Sequence, residues 1–233
     1  MPVVLSDSLT SALAAAATDA RRRSHRALTV EHLLVALLAD AEAEVGDVLV
    51  RCGVDVIELD RELREYLDLL EPRRGGLAGL DEHAHRITAR AAMHGHHQNV
   101  VVGVRDVLAR IPGEPETYAA MLLHAAGVAP IDLLRVLAHG TLETDLVIPE
   151  GPWLAIRVYN DSFTPQRFVV EVLERVLRMS VAAAQSAMLQ IHRSDSAIIA
   201  TLRRDLAIEK AQRVVQAAKD SAVPLRCTLE PAE

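Results

Sequence analysis

Aromatic side chains are scarce here, 3% of 233 residues, and only two cysteines occur, Cys52 and Cys227. The first scarcity points away from an all-β sandwich and toward helix-rich cores packed with Ala, Leu and Val. The second excludes a disulfide framework or a zinc ribbon, because the two cysteines lie far apart and neither belongs to a Cys-x-x-Cys pair. A reducing compartment fits that usage. Long apolar runs are missing as well: none reaches the ~20 residues that a membrane span needs, and the start, Met1 to Asp7, carries no basic stretch ahead of an apolar one. The expectation is a cytoplasmic chain, neither exported nor anchored. Positive charge is in deficit, 25 Lys and Arg against 32 Asp and Glu, for a formal net charge of -7. Such a balance repels a phosphate backbone and argues against nucleic-acid binding. The one dense basic run, Arg21-Arg22-Arg23, ends a predicted helix, where cations complement the dipole. No Gly-x-x-x-x-Gly-Lys-Ser/Thr loop is present to cradle phosphates, so no ATPase, no catalytic residue and no cofactor is assigned.

What is present divides in two. In the first half, Leu9-Leu13-Ala16 and Leu33-Leu34-Leu37-Leu38 follow helical spacing, and Thr29 followed by Glu31 and His32 reads as an N-cap with an acidic first turn. Gly53 and Gly127 follow apolar-periodic stretches and read as left-handed residues that end helices. They expose an internal repeat, since Cys52-Gly-Val-Asp-Val-Ile-Glu-Leu59 lines up with Ala126-Gly-Val-Ala-Pro-Ile-Asp-Leu133 at an offset of 74 (127 minus 53). The same offset lays Thr29 to Leu37 on Gly103 to Ile111. Residues 1–140 are therefore expected to form a mainly α domain of two four-helix repeats related by a pseudo-two-fold, with Arg73 to Gly79 as their joint.

After Gly140 the texture changes. Thr141 to Pro152 carries acids, two prolines and a glycine, and reads as a linker of 12 residues. Beyond it, 153–233 alternates between short β-like runs and helical blocks: a strand at Leu154 to Tyr159, helices at Pro165 to Leu177 and Val181 to Ile191, a strand at Ala197 to Leu202, a helix at Asp205 to Ser221 and a strand at Leu225 to Leu229. That order is β-α-α-β-α-β, an α/β (α+β) domain with a three-stranded antiparallel sheet.

The second half resembles the ClpS adaptor family through Val158-Tyr-Asn-Asp-Ser-Phe-Thr-Pro165, Ala187-Met-Leu-Gln-Ile-His192 and Pro224-Leu-Arg-Cys-Thr-Leu-Glu230. The first half is similar to the amino-terminal repeat domain of the ClpA and ClpC unfoldases, best along Leu28 to Leu38. The resemblance implies a non-enzymatic adaptor that recognises the free amino-terminal residue of a protein marked for degradation, an N-degron. Such a ligand offers an ammonium, which wants acceptors, and a side chain, which wants an apolar hole. The resemblance places Asn160, Asp161 and His192 around the ammonium, and lines the hole with Ser162, Thr164, Gln166, Val169, Val172, Met188 and Ile191. Taken alone, Val172, Met188 and Ile191 suit an ordinary core equally well, and His192 suits a buried, satisfied histidine. Ser162 stands where the family usually has a second acid, Gln166 where many members have a methionine, and Asp195 where glycine is common.

Asp205 and Lys210 match positions that the family uses to dock on an unfoldase N-domain, although on spacing alone they suit a solvated helix face. The expected partners are a ClpA- or ClpC-type unfoldase and N-degron peptides or proteins, with no nucleic acid and no membrane. Because both sides of a docking contact lie on one chain, an intramolecular or exchanged contact between its two domains is also expected; the linker spans at most ~43 Å when extended. An alternative is a regulator or anti-adaptor that restrains proteolysis without delivering substrates. The histidines His83, His85, His94, His96 and His97 lack a known metal spacing and read as a histidine-rich helix end, with no metal assigned.

Overall fold

The computed structural model describes residues 4–39, 44–72, 79–98, 101–143 and 145–232, without the side chains of 95–98. It divides into two compact units, Met1–Gly140 and Thr141–Glu233.

The first unit is helical throughout: α1 Asp7–Arg22, α2 Val30–Ala39, α3 Val45–Arg51 and α4 Val56–Leu69, then α5 Glu82–Gln98, α6 Val104–Leu108, a 3-10 turn Ile111–Gly113, α7 Tyr118–Ala125 and α8 Pro130–His139. Carried forward by 74 residues, α1 to α4 fall on α5 to α8, so the two four-helix repeats are real. Gly53 and Gly127 have φ +85° and +82°, the left-handed conformation that costs glycine little. Helix starts repeat too: Ser6 accepts from Leu9 N–H (3.1 Å) to cap α1, and Asp81 accepts from Ala84 N–H (2.7 Å) to cap α5. Two parallel bridges, Leu5 with Val102 and Leu28 with Leu80, exchange backbone bonds between the repeats. Ser6 N–H donates to the Val102 carbonyl (2.9 Å) and Asp81 N–H to the Leu28 carbonyl (2.9 Å), a swap that a pseudo-two-fold demands.

The symmetry fails where α2 meets its counterpart. Pro112 and Gly113 break the second copy into the short α6 and a 3-10 turn, because proline removes a helical donor and its ring clashes with the preceding turn. By contrast, α2 runs unbroken and is buried on every side from Val30 to Leu37, which makes it the central helix of the unit rather than the amphipathic one that the leucine spacing suggests. Leu33, Leu34 and Leu37 are fully buried, and truncating any of them to Ala is worth ~2–5 kcal/mol. The inter-repeat joint read from the sequence, Arg73 to Gly79, lies outside the described residues apart from Gly79.

The second unit follows the expected order: β1 Trp153–Tyr159, α9 Gln166–Leu177, α10 Val181–Ser194, β2 Ser196–Arg203, α11 Arg204–Asp220 and β3 Cys227–Pro231. Its sheet has the order β2-β1-β3 with both pairings antiparallel. Alternation along β1 sends Leu154, Ile156 and Val158 into one core with Val169, Val172, Leu173 and Val176 of α9. The small side chains Ala207, Ala211, Ala217 and Ala218, with Val214, are the buried face of α11 in the same core. Arg157 grips Glu230 across β1 and β3 with two hydrogen bonds, 2.6 and 3.1 Å.

Part of the segment read as linker belongs to this unit. Leu146 is half-buried against the core, Arg204 Nη1 donates to the Pro149 carbonyl (2.5 Å), and Arg204 N–H donates to the Pro152 carbonyl (2.9 Å). Prolines put their carbonyls at the disposal of a partner while offering no donor of their own, and the start of α11 needs acceptors for its orphan N–H groups.

Candidate functional site

The loop that leaves β1 is organised by one carboxylate. Asp161 Oδ1 accepts from the backbone N–H of Phe163 (2.7 Å) and of Thr164 (2.6 Å), and Oδ2 accepts from the Thr164 hydroxyl (2.7 Å). This is the turn that an Asp favours two or three residues before the chain must change direction. It buries Thr164, at 6% exposure, and delivers Pro165 at the N-cap of α9.

The preceding residue ties the loop to another element. Asn160 N–H donates to the Asp195 carbonyl (2.8 Å), and Asp195 is the left-handed C-cap of α10, at φ +58°. An Asp tolerates that conformation better than most residues, so the glycine common elsewhere is not needed. The end of β1 is thereby stitched to the end of α10, whose last turn carries His192. His192 is exposed and Asn160 half-buried. Among the described residues neither the Asn160 amide nor the His192 imidazole has a hydrogen-bond partner. His192 sits in the last turn of α10, at the negative end of that helix's dipole.

The apolar residues assigned to the hole are placed differently from one another. Val172 and Ile191 are 1% and 3% exposed and Val169 is also buried, all three in the core of the unit. Met188 is half-buried against that core, the most accessible apolar member of the set. Ser162 and Gln166 are exposed, with Gln166 the first residue of α9. On α11, Asp205 is exposed in the first turn and Lys210 half-buried. Five residues apart, they diverge by about 140° around the helix axis, so they do not pair with each other. An ion pair within that helix runs instead from Glu209 to Arg213, 3.0 Å.

A family model for the ATP-dependent Clp protease adaptor protein ClpS matches residues 151–228, and the model for the Clp repeat (R) N-terminal domain matches 4–126. The chain belongs to both families. Its ClpS-type unit is 37% identical over 78 residues to the ATP-dependent Clp protease adapter protein ClpS 2 of Agrobacterium fabrum, an alignment that covers 34% of this chain and 76% of that protein. It is 41% identical over 73 residues to the ClpS adapter of Leptothrix cholodnii, covering 31% of this chain and 64% of that relative's length. The solved structure of Agrobacterium tumefaciens ClpS2 bound to L-phenylalaninamide is 34% identical, covers 36% of this chain and 100% of that one, and has a TM-score of 0.34.

In the Clp repeat unit, one of the histidines noted in the sequence is committed to structure. His83 Nδ1 lies 3.1 Å from Glu114 Oε2 and His83 Nε2 lies 3.6 Å from Glu116. Glu114, at 2% exposure, also accepts from Arg86 (2.8 Å) and Arg90 (3.1 Å), so three side chains of α5 converge on one buried carboxylate. The side chains of His96 and His97 lie outside the described residues. Sequence reading missed Glu114, whose partners are 24 to 31 residues away with no periodic signal between them. Cys227 is buried, and burial pushes its thiol up to about 12, which removes it from thiolate chemistry. Among the described residues no single helix is long and apolar enough to cross a membrane.

Proposed function

We propose that this chain is a binding protein of the Clp protease system that holds the free amino-terminal residue of a partner protein in its ClpS-type unit. The observation that carries this reading is the stitch between β1 and α10, the bond from Asn160 N–H to the Asp195 carbonyl, which joins the loop of Asn160 and Asp161 to the helix end that carries His192. Each charge-assisted hydrogen bond to an ammonium contributes ~1.5–3 kcal/mol, and burying a Leu or Phe side chain adds ~1.5–3 kcal/mol, so micromolar affinity is within reach. Met188 would form the accessible part of the side-chain hole, with Thr164, Val169, Val172 and Ile191 as its floor and Ser162 and Gln166 at its rim. The relatives named above are adapters of the ATP-dependent Clp protease, and we carry that role to this chain, with a ClpA- or ClpC-type unfoldase as the partner. Docking through α11 would need Asp205 and Lys210 to serve different edges of the contact.

A second reading has its own support. Asp161 already accepts three loop bonds, and Ser162 replaces a second acid, so the carboxylate can be a structural hub in a unit that regulates proteolysis without taking substrate. Fluorescence anisotropy with labelled peptides that begin with Leu, Phe, Tyr or Trp separates the two. Binding that is lost on acetylation and weakened by His192→Ala supports recognition of the amine; equal affinity for free and acetylated peptides sinks it and leaves the regulator.

A further inference from the structure

His25 and His32 are buried in the first repeat, at 7% and 1% exposure, with His25 Nδ1 2.9 Å from His32 Nε2. Three helix ends meet there. His25 follows α1 in a Schellman turn, its N–H donating to the Ala20 carbonyl (2.9 Å) and that of Ser24, at φ +59°, to the Arg21 carbonyl (2.9 Å). His32 is the third residue of α2, and its Nδ1 accepts from the N–H of Thr29, the N-cap residue (3.1 Å). The backbone of Leu70, at the C-cap of α4, lies near enough to the His25 ring to favour its charged form.

The network fixes the protons. Thr29 N–H can only donate, so His32 Nδ1 accepts and its proton sits on Nε2, which donates to His25 Nδ1. His25 then carries its own proton on Nε2, free to face the Leu70 carbonyl. An extra proton on His32 Nδ1 meets the Thr29 N–H, and one on His25 Nδ1 meets the His32 N–H. Only the Thr29 hydroxyl, 3.0 Å from His32 Nδ1, could accept the first of these protons, and both additions place positive charge at the positive end of the α2 dipole.

The second repeat solves the same problem without a titrating ring. At the equivalent start, of α6, Asp106 Oδ2 accepts from the N–H of Gly103 (2.9 Å).

We propose that the His25–His32 pair is an acid-sensitive latch, which holds the ends of α1, α2 and α4 together while both rings are neutral and releases the first repeat in mildly acidic solution. The charges that face the pair divide. From α1, Arg23 opposes protonation and Asp19 favours it; from α4, Asp68 favours it; from α2, Glu31 favours it but is engaged with the Ala119 N–H of α7 (3.2 Å). Asp19 and Asp68 both pair with Arg23, which cancels much of their pull. Desolvation is the largest influence on both rings, lowering His25 and taking His32 to about 4. The sign follows: a histidine depressed in the folded state binds its proton more readily when unfolded. Stability is full above pH 6.5 and falls as the pH drops toward 4. For His32 alone the folding equilibrium constant at pH 5 is about twentyfold below that at pH 7.

The test compares the full chain with His32→Gln, since Gln is the residue that usually closes a Thr-x-x-Gln capping box and does not titrate. Thermal unfolding from pH 7 to pH 5 is expected to lower the transition of the natural chain markedly and that of His32→Gln much less. Equal losses in the two would overturn the latch. Ring NMR of the natural chain decides independently should the variant not fold: a neutral His32 with its proton on Nε2 down to pH 5 upholds the proposal, and titration near 6.5 or a proton on Nδ1 refutes it.

Discussion

Among the described residues of the Clp repeat unit five charged or polar side chains, His25, Glu31, His32, Glu114 and Thr117, are buried, and each holds a hydrogen bond that joins or caps helices. In the ClpS-type unit the only such residue among those described is Thr164, and it lies in the loop that leads out of β1. The contrast separates two uses of polarity. Buried and paired groups specify how helices meet and have nothing left to offer a ligand, because an unsatisfied buried group would be costly. Groups left at a surface without partners, as at Asn160 and His192, cost the fold little and remain free to bind.

Peptide acetylation tests the contrast with the largest expected effect. It removes the ammonium charge and two of its donors, so a site built on Asn160, Asp161 and His192 should lose at least about 100-fold in affinity, two charge-assisted bonds of ~1.5–3 kcal/mol each. An unchanged affinity in a direct titration would place the ClpS-type unit on the structural side of the comparison. Glu114→Ala comes next and should act only on the first unit. It strips His83, Arg86 and Arg90 of their shared acceptor, but both arginines are more than one-third exposed and can rehydrate. A cost of about 2 kcal/mol is expected, below the 3–5 kcal/mol of a fully buried pair. Denaturant unfolding would read that loss while peptide affinity stays fixed; a change in affinity would break the division of labour.

Single substitutions at the candidate site should show the converse. His192→Ala and Asn160→Ala are each expected to weaken peptide binding about tenfold, ~1.4 kcal/mol, with the unfolding midpoint nearly unmoved because neither side chain has a partner to lose. Asp161→Ala should fail that pattern, costing both stability and binding, since three loop bonds converge on its carboxylate.

How far these roles could be read from residues alone depended on the range of the interaction. The strands and helices of the second unit follow from alternation and helical spacing within a few residues, and the loop of Asn160 and Asp161 from a contiguous motif. Glu31 shows the limit: its position after Thr29 marks it as a first-turn acid of α2, yet it is buried and caps α7 through Ala119, 88 residues on. The His25–His32 contact and the seating of Leu146 and Pro149 against the second unit are likewise tertiary events, where packing decides the partner and no period announces it. Val172 and Ile191 were ambiguous for the same reason, since one spacing serves both a core and a pocket wall.

The smallest expected effect probes the repeat itself. Gly53 and Gly127 occupy equivalent turns, at φ +85° and +82°, and a Cβ added at either would meet nothing within 4 Å. Packing therefore adds nothing to the cost of Gly53→Ala or Gly127→Ala, and only the left-handed backbone is strained, by about 1 kcal/mol. If the two repeats are energetically as well as geometrically equivalent, chemical unfolding should give the same loss for both within ~0.5 kcal/mol, and the double variant should be additive. A much larger loss at Gly53 would show that the first repeat, with its unbroken α2 and its histidine latch, sets the stability of the unit, whereas a larger loss at Gly127 would give that place to the copy that Pro112 interrupts.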